Sequence, residues 1–388
     1  MQIESLIDRA EKLKEKSSYQ QSLKLFQKAF QEYVKICDLE GMLHCLLSLG
    51  DIYRMVGNFD LAAKNYSEAI KLARKHRETI WVADAGVGLG LSLRAQGKWK
   101  EALKLIHESM KTYRKNEDRE GLAFSLWAEA GALRIKGSII EAIKTFKDSL
   151  KIFKNLKNKQ GIGFCLCGLG GTSRVAGLFS DSLEYYIAAN RLFSHIKDIF
   201  GIAYSYCGIG NAYRMMKDYE SALTNFAKAI RLYQKIGDRV SYSYTLWSFG
   251  TTYKMMGNFR KARDNFIKAM LLFKKTKDPR GIIYCRLGLG ELDILEGRKT
   301  IAMKRLRLSL FESMKNGFAV EKCHAAAILS YMNENNTLTL PPYIHSYQGW
   351  IKMGVKGGQG GFSGKIDDRC YNSLGLKIKF QGLPFNIP

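Results

Sequence analysis

Six cations recur at intervals of 40 residues: Arg54, Arg94, Arg134, Arg174, Arg214 and Lys254. A guanidinium carries paired donors that match a carboxylate or a phosphate, so a row of them could hold an acidic segment or another polyanion. A row turned into the protein interior would instead need carboxylates of the chain's own. The stretches 161–177, 201–217 and 241–257, which contain Arg174, Arg214 and Lys254, hold no acid, while Asp51, Glu129 and Glu291 could serve the ends. Aromatic residues follow the same period: Phe124, Phe164, Tyr204, Tyr244 and Tyr284 form one column, with Trp127 and Trp247 one helical turn further on. Stripes of this kind are either core or the apolar half of a binding surface. The expected chemistry is non-covalent capture of negative charge beside apolar side chains. Formal charge over the whole chain, 61 basic against 36 acidic residues, is +25 and points the same way.

No catalytic constellation accompanies these residues. None of the 6 histidines forms an HExxH pair. Cys45, Cys165 and Cys285 share a column with Ala85, Ser125 and Ser205, which is a packing pattern rather than a nucleophile or metal set. A phosphate loop ending at Gly364-Lys365 would need glycine at 359 and Ser or Thr at 366, where Gln359 and Ile366 stand. The sequence therefore implies neither an enzyme nor a cofactor. With 388 residues, 46% apolar and 25% charged, the chain has the composition of a folded protein. It has no apolar run long enough to span a membrane, and its N-terminus lacks a secretory core. The 8 scattered cysteines, without a CxxC, suggest reduced thiols and a cytoplasmic setting.

The elements that must carry the cations are set by a repeat of 40 residues. One small-residue column is Gly50, Gly90, Ala130, Gly170, Gly210, Gly250 and Gly290. Seven residues on stand Gly57, Gly97, Gly137, Gly177, Gly257 and Gly297, with Lys217 as the exception. Within residues 38–77, Asp38 is a helix N-cap, a first helix runs to about residue 56, Gly57-Asn58 is a turn, and a second helix carries the stripe Phe59, Ala62, Ala63, Tyr66, Ala69, Ile70. Glycine mid-helix costs about 1 kcal/mol against alanine, so its recurrence implies that the second helix crosses closely there.

These residues resemble the tetratricopeptide repeat (TPR). Its signature appears as Leu49-Gly50, Tyr53, Ala62, Tyr66, Ala69, and again as Ile209-Gly210, Tyr213, Ala222, Phe226, Ala229. The period of 40 is similar to the long-helix repeats of kinesin light chain and of spindle-orientation adaptors. The resemblance implies an all-α fold, a right-handed solenoid of antiparallel helix pairs over residues 1–334, with about eight repeats and a capping helix. It also implies that the cation column lies on the concave face, where such scaffolds bind partners. Of the small polar residues usual just after the glycine on that face, only Asn211 is an asparagine. Residues 335–388 lose the phase and are expected to form a glycine-rich, loosely structured or disordered tail.

The functional expectation is a non-catalytic scaffold or adaptor. Its groove, lined by the six cations with Phe124, Trp127, Phe164, Tyr204, Asn211, Tyr244, Trp247 and Tyr284, would bind an acidic segment of a partner protein. The alternative is nucleic acid or another anionic surface, met through this ladder or through the lysine columns of the second helices, such as Lys35, Lys75, Lys115, Lys235, Lys275 and Lys315.

Overall fold

The computed structural model describes residues 3–334 and 369–388. The repeat becomes a series of helix pairs: α1 (Ile3–Glu15) with α2 (Tyr19–Lys35), α3 (Leu39–Met55) with α4 (Phe59–Lys75), and α5 (Thr79–Ala95) with α6 (Trp99–Lys115). Then come α7 (Arg119–Lys136) with α8 (Ile139–Asn155), α9 (Lys159–Ala176) with α10 (Phe179–Ile196), and α11 (Ile199–Met215) with α12 (Tyr219–Ile236). Last are α13 (Arg239–Met255) with α14 (Phe259–Lys275), α15 (Pro279–Leu295) with α16 (Lys299–Asn316), the capping helix α17 (Ala319–Glu334), and a single turn α18 (Arg369–Asn372). No strand occurs among the described residues. Each helix packs on its sequence neighbours, and the odd-numbered helices from α3 to α17 also touch one another in succession. The odd-numbered helices therefore line the inner face of the solenoid, and the even-numbered helices its outside.

Local chemistry explains the boundaries. Asp38, Asp118, Asn158, Asp198 and Asp278 each accept a hydrogen bond from the backbone N–H three residues on, and Asp238 accepts from Val240 and Ser241. Glu78, in the same column, makes no such bond. The turn glycines adopt φ of +77° to +97°, and Lys217 takes φ +66° where glycine is missing.

The mid-helix glycines make room for rings. A Cβ on Gly170 would lie 2.8 Å from the ring of Tyr186, and one on Gly208 would lie 2.1 Å from the same ring. Tyr66 is held likewise between Gly50 and Gly88, and Phe266 between Gly250 and Gly288. One aromatic from each of α4, α10 and α14 is thus slotted between two inner helices, and that slot couples neighbouring repeats.

The solenoid coils tightly enough to touch itself. The turn at Gly57 abuts Val240 and Thr276, and the turn at Gly97 abuts Pro279 and Phe318. The Trp99 indole N–H donates to the carbonyl of Asn316 at 2.9 Å, and Lys277 pairs with Asp60. Apolar residues of α1 and α2 share a core cluster with Ala203, Ala229, Tyr233 and Ile236.

Residues 369–388 differ from the loosely structured tail expected of them. Tyr371, Leu376, Ile378, Phe380, Phe385 and Ile387 are buried, in one cluster with Val175, Trp247, Tyr284 and Phe318. From 376 to 380 buried and exposed residues alternate, as an extended segment lying on one surface requires. The Lys377 N–H donates to the Ala176 carbonyl at 3.0 Å. Cys370 is disulfide-bonded to Cys323 of α17, so two of the eight thiols are oxidised, against the expectation that all were reduced; the other six are free. The remainder of the expected tail, 335–368, lies outside the described residues.

Candidate functional site

The cation column sits in the last turn of the inner helices α3, α5, α7, α9, α11 and α13, four residues after the small column, and the structure divides it into three parts. At one end Arg54 Nη2 approaches Asp51 Oδ1 at 3.3 Å, and the Tyr66 hydroxyl donates to the same oxygen at 2.6 Å. Burial lowers the Arg54 pKa, but Tyr66 and Asp51 more than offset this and raise it.

Arg94, Arg134 and Arg174 form the middle part. The positions opposite Arg94 and Arg134 are glycines. A Cβ on Gly131 would fall 2.0 Å from Arg94 Nη1, and a Cβ on Gly171 would fall 2.6 Å from Arg134 Nη1. Where the ends of this column carry Asp51 and Glu291, the middle offers open space for a guanidinium and no carboxylate. Arg94 donates to the Ala128 carbonyl at 3.4 Å and lies 5.6 Å above the Trp127 ring. Burial, with Arg134 and Arg54 as like charges nearby, pushes its pKa down to about 10. Among the described residues none of the three has an acidic partner, and Nε and Nη1 of Arg174 are buried without a hydrogen bond. An anion arriving here would relieve repulsion and satisfy donors that the chain itself leaves open.

Arg214 and Lys254 form the third part, and both are enclosed, at 0% and 1% relative exposure. Arg214 donates through Nε and Nη2 to Asn211 Oδ1 at 3.3 and 3.1 Å, and through Nη1 to Asn386 Oδ1. Asn386 Nδ2 donates back to the Arg214 carbonyl at 3.0 Å. Lys254 Nζ donates to Glu291 Oε1 at 2.7 Å and to the Phe385 carbonyl at 2.8 Å, while the Phe385 N–H donates to Glu291 Oε2 at 2.7 Å. Burial, with Arg174 near, pushes Arg214 down to about 9. The acid missing from the helix of Lys254 is supplied by the next inner helix. The ligand that reaches both cations is the chain's own C-terminal segment.

The aromatic column divides at the same place. Phe124 is 39% exposed and stacks on Trp127, with ring centroids 5.6 Å apart; Trp127 meets Phe164 at 6.2 Å. Phe164 reaches Phe200, and Phe200 stacks on Tyr204. This shelf meets the arginines at Arg94, whose guanidinium lies over Trp127. Trp247 and Tyr284 are core residues, 4.8 Å apart under the C-terminal segment, and the half-buried Tyr244 donates its hydroxyl to Asp278 at 2.8 Å. Asn211 orients Arg214 instead of facing solvent. Sequence reasoning missed Phe200, which lies outside the aromatic column, and Asn386, which lies outside the repeat; the alternation in Leu376-Lys377-Ile378-Lys379-Phe380 was the available sign that the terminal segment docks.

Among the described residues no group of His, Cys, Asp and Glu could hold a metal ion, and no helix is long and apolar enough to cross a membrane.

The sequence matches the Tetratricopeptide repeat family over residues 4–75, 81–155 and 201–275. The chain belongs to that family. The TPR fold is similar to that of a Rap protein solved in complex with competence and sporulation factor, at a TM-score of 0.63 and 13% identity, covering 86% of this chain and 92% of that one. It is also similar to the Rap conjugation gene regulator of the plasmid pLS20 in complex with the Phr* peptide, at 0.61 and 13%, covering 81% and 95%. The apo form of RapI gives 0.52 and 14%, covering 70% and 98%. No curated protein matches the sequence.

Proposed function

We propose that this TPR protein is a non-catalytic scaffold whose inner face binds an acidic segment of a partner protein at Arg94, Arg134 and Arg174, beside the shelf of Phe124, Trp127, Phe164, Phe200 and Tyr204. The observation that carries the reading is the middle of the ladder: three successive guanidiniums without an acidic partner among the described residues, two of them, Arg94 and Arg134, facing glycines, with buried donors of Arg174 unsatisfied. The Rap conjugation gene regulator of the plasmid pLS20, similar in fold, was solved in complex with the Phr* peptide, which supports a peptide-binding reading. Arginine forks would take the carboxylates and the rings the intervening apolar side chains. A cytoplasmic setting belongs to this reading and suits the six free thiols; the Cys323–Cys370 bond would be the redox-sensitive one there.

The test is a fluorescent acidic peptide, alternating Glu with Leu or Phe, titrated by anisotropy against the full chain. Arg94→Glu/Arg134→Glu/Arg174→Glu should weaken binding at least a hundredfold with the helical circular dichroism unchanged. Equal affinity for wild type and triple variant removes the reading. Labelled RNA and DNA at low and high salt form the other arm. Tight, steeply salt-dependent binding that survives the triple variant would move the function to the exposed lysine faces of the outer helices.

A further inference from the structure

The far end of the inner face is built as a ligand site and is already filled. Three features separate it from ordinary core. First, its contacts to the terminal segment are polar and directed at main chain: Lys254 takes the Phe385 carbonyl and Glu291 takes the Phe385 N–H. These two bonds read a backbone unit that any extended peptide presents, and Arg214 adds recognition of a side-chain amide through Asn386. Second, a buried Lys–Glu pair is a poor way to hold a core together, because desolvation offsets the attraction unless further bonds complete both groups. Here, among the described residues, the completing bonds come from the incoming segment. Third, the site is continuous with the open part of the ladder. Arg174, one repeat before Arg214, keeps two buried donors unsatisfied, so a peptide running along the arginines would arrive at the place where Asn386 sits. On the opposite side the Phe385 ring is received by His324 and Tyr371 at centroid distances of 5.7 and 6.4 Å, in a socket an apolar partner side chain could occupy. The segment is fastened upstream of this socket by the Cys323–Cys370 bond and by the Tyr371 hydroxyl against His324.

We propose that residues 380–388 are a resident ligand of the groove, held at high effective concentration by the Cys323–Cys370 tether, and that an extended peptide with an aromatic residue followed by an amide or acid must displace them to engage Arg214, Lys254 and Glu291. This rests on the inner face being a peptide site. It adds an order of events: a ligand seats first on the unpaired arginines and then competes for the filled end. Tethering makes the internal segment win at low ligand concentration and lose at high.

The experiment uses a fluorescein-labelled nonapeptide with the sequence of residues 380–388, titrated against three full-length proteins: wild type, Cys370→Ser/Asn386→Ala, and the latter carrying Lys254→Met/Glu291→Leu as well. The apolar replacement of both charged partners avoids stranding one of them. The tail variant is expected to bind at least tenfold tighter than wild type, and the quadruple variant to lose that gain. Hydrogen exchange of residues 380–388 in wild type is the second measurement, and it does not depend on any variant folding. Exchange at least a hundredfold faster than in α9 and α11 supports the proposal, because the segment then opens by itself. Exchange as slow as in those helices, or equal nonapeptide affinity in wild type and tail variant, overturns it. If the acidic probe binds no form of the protein while the nonapeptide behaves as stated, only the acidic-partner reading fails; the converse result removes only the resident ligand.

Discussion

At the scale of single residues the glycines are matched to rings and guanidiniums. Gly170 and Gly208 clasp Tyr186, and Gly131 and Gly171 accommodate Arg94 and Arg134. Helix propensity alone makes Gly208→Ala favourable by about 1 kcal/mol. The ring at 2.1 Å reverses that. Gly208→Ala is expected to lower the denaturant midpoint, and Tyr186→Ala to cost about 3–5 kcal/mol by leaving a cavity between two repeats. A Gly208→Ala variant more stable than wild type would show that the ring moves aside freely.

At the scale of the element, the caps are where chemistry and folding meet. Asp238 begins α13, is 2% exposed, and accepts from two backbone N–H groups with Oδ1 while Oδ2 is buried without a partner. Burial pushes its pKa from 3.8 up to about 6, against the lowering effect of the Ser241 and Val240 bonds. The folded chain thus holds this proton more tightly than the unfolded chain, so stability from this group declines as pH rises from about 4 to about 6 and stays reduced above that. Asparagine caps equally well, as Asn158 does at α9. Asp238→Asn is expected to raise stability at pH 7 by about 1–2 kcal/mol and to flatten this part of the pH profile, read by thermal unfolding between pH 4 and 7.

At the scale of the whole molecule, contacts between distant repeats decide the shape of the inner face. The Trp99 ring covers Gly317 and its N–H reaches Asn316, 217 positions on. Trp99→Ala removes one clasp without touching the cations. It is expected to increase the radius of gyration in small-angle X-ray scattering and to lower the thermal midpoint by several degrees. An unchanged scattering profile would mean that the coil is set within neighbouring repeats alone.

The repeat, the helix pairs, the caps and the cation column were all legible in the sequence, because each depends on residues within one or two periods of 40. Asp38 caps α3, Gly57 turns the chain and Tyr66 meets Gly50 whatever lies further along. Three outcomes were decided only by tertiary structure. Lys254 lies 131 positions from Phe385, and no local pattern announces that pairing. Gly57 meets Thr276 because small rotations between repeats accumulate until the solenoid comes round upon itself. The burial of Trp247 and Tyr284, set against the half-open stacking of Phe124 and Trp127, follows from where the terminal segment docks. Short-range interactions wrote the helices; the summed geometry of many repeats chose which guanidiniums the chain keeps for itself.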